Sequence, residues 1–228
     1  MIIAIDGPAG AGKSTTARLV AERLGFAYVN TGAMYRAVAV AACEAGLRLP
    51  DDVGEIVALA GTLPIALREN SARVLIGERD ITALLGSAEM AELTSAISAI
   101  DGVRSVLVEQ QRRLAAEAEV DCGGAVLEGR DIQTVVCPEA AVKIFLTAEP
   151  ATRAQRRHAE WQAKGETASI ETARETIETR DRRDSTRDTA PLMAAADAVM
   201  LPTDDLTPAQ VADRIVALAR QHMETAAI

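Results

Sequence analysis

The chain has 228 residues, 49% hydrophobic, 25% charged and 2% aromatic, enough for one large domain or a core with a smaller appendage at roughly 100–200 residues per domain. No apolar run reaches the ~18 residues of a membrane span, and Met1-Ile2-Ile3-Ala4-Ile5-Asp6 lacks the basic segment of a signal peptide, so a cytoplasmic protein is expected; a monomer is expected as well, although nothing in the sequence fixes the oligomeric state. The net charge of −9 argues against nucleic-acid polymers and membranes as partners, but not against a small phosphorylated ligand.

The β-branched run 2–5 predicts a buried strand that ends at Gly7-Pro8. Ala17, Val20, Ala21 and Leu24 fall at helix spacing after Lys13, and Gly25 stops that helix. A strand at 26–29, a turn at Asn30-Thr31-Gly32 and a helix over 33–45 follow. Strand, helix, strand, helix in this order predicts a parallel sheet with crossover helices. After a helix at 55–61 the texture changes. Segments 64–68 and 73–77 flank the polar turn 69–72, and 78–81 extends them into a small antiparallel meander. Helices are expected at 88–98 and at 101–119, the second capped by Asp101. Gly123-Gly124 breaks the chain before strands at 125–128 and 142–146. A charged helical stretch over 150–187, interrupted near Gly165, leads to a strand at 198–201 and a helix at 207–223 with Pro208 in its first turn. Cys43, Cys122 and Cys137 read as reduced thiols filling small buried apolar sites.

Gly7-Pro8-Ala9-Gly10-Ala11-Gly12-Lys13-Ser14 matches G-x-x-x-x-G-K-[ST], with a strand before it and a helix after it. A loop that wraps phosphate with backbone N–H groups needs glycine, because side chains would obstruct it. Lys13 reaches the outer phosphates of a nucleoside triphosphate, and the Ser14 hydroxyl is placed to ligate Mg²⁺. The base-reading Asn/Thr-Lys-x-Asp of GTPases is absent: of the three lysines, neither Lys143 nor Lys164 has Asp two residues on. A small phosphotransferase is the expectation, with a nucleotide-binding regulatory module as the reading from another class.

Three further clusters bear on the acceptor. Arg36 in Thr31-Gly32-Ala33-Met34-Tyr35-Arg36 lies about one turn into a helix at the carboxyl edge of the sheet, where open α/β sheets bind ligands. It reads either as a phosphate contact or as a solvated helix arginine. Gly129-Arg130-Asp131 follows strand 125–128 at the same edge, either as a recognition pair or as a surface ion pair. Arg180, Asp184 and Arg187 are spaced i, i+4, i+7 on one helix face. Residues 153–187 hold eight arginines and Lys164 against seven acids, a local excess of positive charge that an ordinary salt-bridged helix would also show.

With these residues in view, the sequence resembles the bacterial cytidylate kinase family almost end to end. The resemblance is carried by Ile5 through Thr15, Thr31 through Arg36, Gly129-Arg130-Asp131-Ile132, Val142 through Leu146, and Arg180 through Arg187 with Ala190-Pro191-Leu192. It implies ATP·Mg²⁺-dependent phosphorylation of CMP and dCMP, with UMP as the alternative acceptor. It implies a P-loop three-layer α/β fold with a central parallel sheet (1–62, 100–150 and 188–228), a small antiparallel-sheet acceptor-binding insertion (63–99) and a helical lid (151–187). It places ATP on Gly7 through Thr15 and the acceptor phosphate on Arg36 and Arg130. Ser95, Arg104 and Asp131 become base readers, Thr31 and Tyr35 pocket wall, and Arg180 and Asp184 ribose contacts. Arg187 then approaches the transferred phosphoryl, and Arg153, Arg156 and Arg157 are lid cations. The set suits cytosine. A carboxylate and a hydroxyl accept from its amino group and a guanidinium donates to N3, whereas uracil reverses both. Three positions depart from the family pattern: Val29-Asn30, Gln133 and Pro202-Thr203.

Overall fold

The computed structural model describes residues 1–163 and 165–226; Lys164, counted in the basic stretch above, lies outside them. Five parallel strands form the central sheet in the order β2 (Ala27–Asn30), β6 (Ala125–Gly129), β1 (Ile2–Asp6), β7 (Val142–Thr147), β8 (Val199–Pro202). β1 lies in the middle, and Ile3 through Asp6 are buried. The strand alternates as its period requires. Ile3 and Ile5 face one side, packing with helices α1 (Lys13–Leu24) and α8 (Pro208–Ala226) through Val20, Ile215 and Ala219. Ala4 faces the other, under α5 (Asp101–Cys122), with Leu127, Val108 and Ala115. This is the three-layer parallel fold the sequence predicts.

A second core forms around α2 (Thr31–Glu44), whose residues 37–42 are all buried. A helix of small apolar residues on every face must be covered all round. Its cover comes from α3 (Val53–Thr62), α4 (Ala88–Ile97), the start of α5 and a three-stranded antiparallel sheet. That sheet is β3 (Ile65–Arg68), β4 (Arg73–Ile76) and β5 (Arg79–Asp80), the meander expected at 64–82. At the β3–β4 turn Glu69, Asn70 and Ser71 all have positive φ (52°, 51° and 59°). The turn is held from outside. Ser71 Oγ donates to Tyr28 O (2.7 Å) and accepts from Asn30 N (3.1 Å), and Asn70 Oδ1 accepts from Tyr28 N (3.5 Å), so the turn lies along the outer side of edge strand β2. The remaining helices, α6 (Pro150–Ala163) and α7 (Ile170–Thr186), are the expected charged pair; they bury Ala154, Trp161, Ala173 and Ile177.

Four details depart from the sequence reading. Helix α2 starts at Thr31 because Asn30 Oδ1 accepts from Ala33 N (3.0 Å), which turns the expected loop into a cap and first turn. Asp101 is not the cap of α5; Ile100 holds that place and Asp101 is the first helical residue, its charge still favourable at the helix N-terminus. The cysteines are free, but Cys43 and Cys122 are exposed and Cys137 is half-buried. They sit near helix ends and a turn, where apolar sequence neighbours do not imply burial. Finally, Ile132–Val136 forms a π-helical turn that no periodicity announces. The Asp6 carboxylate accepts from Ile132 N (3.1 Å) and Gln133 N (2.9 Å) at its start, and Arg112 donates to Val135 O and Val136 O at its end.

Candidate active site

The turn between β1 and α1 is the glycine-rich segment. Gly7, Gly10 and Gly12 all have positive φ (149°, 76° and 89°). At Gly7 space decides as well: a Cβ would stand 2.3 Å from the Leu146 carbonyl oxygen. Gly12 caps α1 with backbone only, so the first amides of that helix are left for an anion. Lys13 is buried and donates to Pro8 O (2.7 Å). Burial, reinforced by the Arg130 charge, pushes its ammonium well below the ordinary lysine range. A buried cation of this kind is stabilised by an incoming phosphate.

Glu128, on β6 and buried, faces the same turn. Its Oε1 accepts from Ser14 Oγ (2.6 Å) and from Tyr28 Oη (3.1 Å). Burial, followed by the Glu128 charge, pushes the Tyr28 phenol far up, so it stays a donor. Asp6 is buried two residues before the loop's first variable position, and burial raises its carboxyl to about 6 despite the two amides it accepts from.

Lys13, Ser14, Thr15 and the backbone of Ala9, Gly10 and Gly12 line a cleft of about 290 Å³. Gly7, Pro8 and Ala11 shape the turn from behind it. The other wall brings together residues from four distant segments: Thr31, Tyr35 and Arg36; Arg104; Arg130 and Asp131; Arg180, Asp184 and Arg187. Arg130 Nε donates to Asp184 Oδ2 (2.8 Å). Burial works against the Arg130 charge, but the nearby Asp184 and Glu128 hold its guanidinium above its usual range. Burial also opposes the Asp184 charge, and Arg130 and Arg180 more than offset it, keeping that carboxyl low. Arg104 is buried, pairs with Asp131 and lies 5.8 Å from the Tyr35 ring centroid. Burial raises Asp131 against the pull of Arg104, and lifts the Tyr35 phenol to about 12.

The donor set bears on what this cleft holds. Buried Nε atoms of Arg36, Arg104 and Arg180, and Nη2 of Arg187, have no hydrogen-bond partner within the chain. Burial lowers the charged forms of Arg36, Arg180 and Arg187, with neighbouring arginines adding to it at each. Unsatisfied buried donors are costly, so guanidiniums gathered in this way call for anionic oxygens. For a divalent cation, Ser14 Oγ and the Glu128 carboxylate supply hard oxygen ligands. Among the described residues no cluster of three or more acidic, His or Cys side chains could hold a metal alone. The two hard oxygens of Ser14 and Glu128 fit a cation such as Mg²⁺, which keeps waters and shares phosphate oxygens.

Some expected site residues stand elsewhere. Ser95 does not line the cleft of Arg104 and Asp131; it lines an adjoining one, and its Oγ accepts from Arg183 Nη1 (2.7 Å). Arg156 is committed to Thr203, donating to its Oγ1 (3.0 Å) and carbonyl (2.6 Å). Arg153 is buried against the glycine-rich turn rather than free to sweep over it. Of the three expected lid cations, Arg157 lines the cleft, where it also meets Glu160 (3.0 Å). Sequence reasoning passed over Glu128, although a carboxylate ending an apolar strand beside Gly129-Arg130-Asp131 was a signal. It named Thr203 only as a departure from the family pattern, although its Oγ1 donates to Ala11 O and Thr147 O, and it gave no role to Asp181 and Arg183, lost among like residues in an arginine-rich helix.

Comparison with known proteins agrees with this geometry. Residues 3–221 match the cytidylate kinase family. The chain is 45% identical to a cytidylate kinase of Carboxydothermus hydrogenoformans, covering 95% of this chain and 96% of that protein. It is 44% identical to one of Salinibacter ruber, covering 95% of each. It is also 44% identical to a bifunctional pantoate ligase/cytidylate kinase of a Synechococcus strain, where it spans 98% of itself but 41% of that longer relative. A crystal structure of an uncharacterized protein from Eubacterium ventriosum shares the fold at 13% identity, with a TM-score of 0.52 over 97% of this chain and 98% of that one.

Proposed function

Because this chain belongs to the cytidylate kinase family, we propose that it transfers the γ-phosphoryl group of ATP to the phosphate of CMP or dCMP, yielding CDP or dCDP. One observation carries the reading: a glycine-rich turn faces, across a single cleft, a set of arginines of which Arg36, Arg104, Arg180 and Arg187 each keep one buried nitrogen without a hydrogen-bond partner.

The acceptor phosphate is an anion and needs no strong base, so catalysis is positioning and charge neutralisation. Helix α1 and the turn hold the donor phosphates, and Lys13 leaves Pro8 O to meet their outer oxygens. Arg36 and Arg130 hold the acceptor phosphate, and Arg187 approaches the transferred group. Ser14 and Glu128 would hold Mg²⁺, which when bound neutralises phosphate charge. Arg104 donates to cytosine N3 and Asp131 accepts from its amino group. Ser95 completes the reader set once its hydroxyl is shared between Arg183 and the base. Arg180 and Asp184 meet the ribose. Residues 63–99 act as the acceptor-binding insertion and 151–187 as the lid, whose closure excludes water and limits hydrolysis of ATP. No described helix is long and apolar enough to cross a membrane.

A coupled assay across CMP, dCMP, UMP and AMP, with the diphosphate products identified directly, tests the reading. Turnover of CMP and dCMP well above the others is expected. A preference for UMP, or ATP binding with no transfer to any monophosphate, overturns it.

A further inference from the structure

Both backbone polar groups of Ala9, in the middle of the glycine-rich turn, are held by side chains from outside that turn. Ala9 N donates to Asp181 Oδ1 at 3.0 Å, and Ala9 O accepts from Arg153 Nη1 at 3.1 Å. Arg153 and Asp181 are also paired with each other. The guanidinium is fixed a third time, since Arg153 Nε donates to Ala148 O (3.0 Å) just before α6. The side chains are 9% and 18% exposed. Next door the turn packs directly on α6: a Cβ at Gly10 would lie 3.0 Å from both Cβ and O of Arg153.

The placement of Asp181 gives the contact its reach. Arg180, beside it, and Asp184, three residues on, line the acceptor wall of the cleft, and Asp184 holds Arg130. One turn of α7 thus grips the donor loop through Asp181 and the acceptor cations through Asp184. A lone carboxylate at this place would repel a triphosphate, but Arg153 cancels its charge on the spot, so the loop is anchored by a neutral pair.

We propose that Arg153 and Asp181 are positioning residues of the donor site: they fix the phosphate turn at a set distance from the cations of α7, and thereby set ATP affinity and the alignment of the two phosphates. The inference rests on the phosphotransfer reading above and deepens it. It replaces the expected role of Arg153 as a mobile lid cation with that of an anchor at the root of α6.

The test uses the full chain with Asp181→Asn, which keeps an acceptor for Ala9 N but loses the ion pair, Arg153→Met, which keeps the stem but loses the donors, and the double variant. ATP binding is measured by calorimetry without acceptor, alongside KM for ATP, KM for CMP, kcat and thermal unfolding. Each single variant should weaken ATP by about tenfold, the scale of a lost charge-assisted hydrogen bond, while KM for CMP stays within about twofold. The double variant should cost less than the product of the singles, because both act through one residue. Should a variant fail to fold, Asp181→Glu carries the test: it keeps charge and acceptor but is one methylene longer, and the same ATP-selective loss is expected. Unchanged or tighter ATP binding in a folded variant overturns the inference, the latter by making Asp181 a competitor of phosphate. Equal losses for ATP and CMP also overturn it, as the mark of a merely structural role. Wild-type chain that binds ATP but leaves CMP untouched sinks the proposed function instead, and the calorimetric comparison still decides this point.

Discussion

Ser14 Oγ donates to Glu128 Oε1 at 2.6 Å, joining the first turn of α1 to the end of β6 across the mouth of the cleft. This pair is the set of hard oxygens next to the phosphate turn, and a cation bound there would take its ligands from both. Glu128→Gln keeps the shape and an acceptor but removes the charge. We expect kcat to fall by roughly 10²-fold or more, with a higher Mg²⁺ concentration needed for half-maximal rate. An unchanged magnesium titration would remove Glu128 from that role.

Lys13 is held inside the fold by one backbone carbonyl. Removing a buried cation costs the fold little, whereas in the role proposed for it, at developing phosphoryl charge, its loss costs the reaction heavily. Lys13→Ala should therefore lower kcat by about 10³-fold with no loss of thermal stability. Circular dichroism melts and initial rates on the same preparation check both halves.

Asp131 and Arg104 form a buried pair under the Tyr35 ring. Asp131→Ala leaves Arg104 without its carboxylate and removes the acceptor proposed for the cytosine amino group. The ratio of kcat/KM for CMP to that for UMP should fall by ~10²-fold or more, with KM for ATP unchanged. Equal losses on both substrates would show the pair to be structural.

Asp6 carries the pH prediction. Its folded carboxyl titrates at about 6 against 3.8 for the free group, because burial disfavours the charge. The folded state therefore binds its proton more tightly than the unfolded state. The Asp6 contribution is fully favourable below about 4 and is lost as pH rises to about 6, a change of roughly 3 kcal/mol. Against an Asp6→Asn variant, wild-type unfolding free energy should decline over that window, as denaturant titrations at a series of pH values will show.

Gly7→Ala tests the turn by shape alone. The added Cβ meets the Leu146 carbonyl oxygen at 2.3 Å, and φ is 149°. A loss of about 1–3 kcal/mol in stability is expected, with ATP affinity falling in the fraction that folds. Differential scanning calorimetry with and without ATP measures both.

The sheet, its helices and the antiparallel meander were legible because each rests on a local pattern. Ile2 through Ile5 is an apolar run before glycine, and 64–82 alternates around a polar turn. The glycine-rich loop was legible for the same reason. What the sequence concealed depends on partners far along the chain. The π-helical turn at 132–136 exists because Asp6, 126 residues earlier, takes its first amides. The burial of Arg153 depends on Asp181 and Ala9, and nothing at positions 153–157 says which arginine turns inward. Likewise Cys43 follows the apolar run 37–42 yet ends on the outside, because burial follows helix phase and position along the helix rather than neighbourhood.

The turn at Asn70-Ser71 lies along β2 with side-chain oxygens where a sixth strand would place its backbone. An uncovered parallel edge is a template for a foreign strand, and the hairpin tip denies it the free N–H and C=O groups such a strand would seek. The small sheet thus guards the large one against self-association, and shortening that hairpin would trade a compact chain for one prone to aggregate through β2.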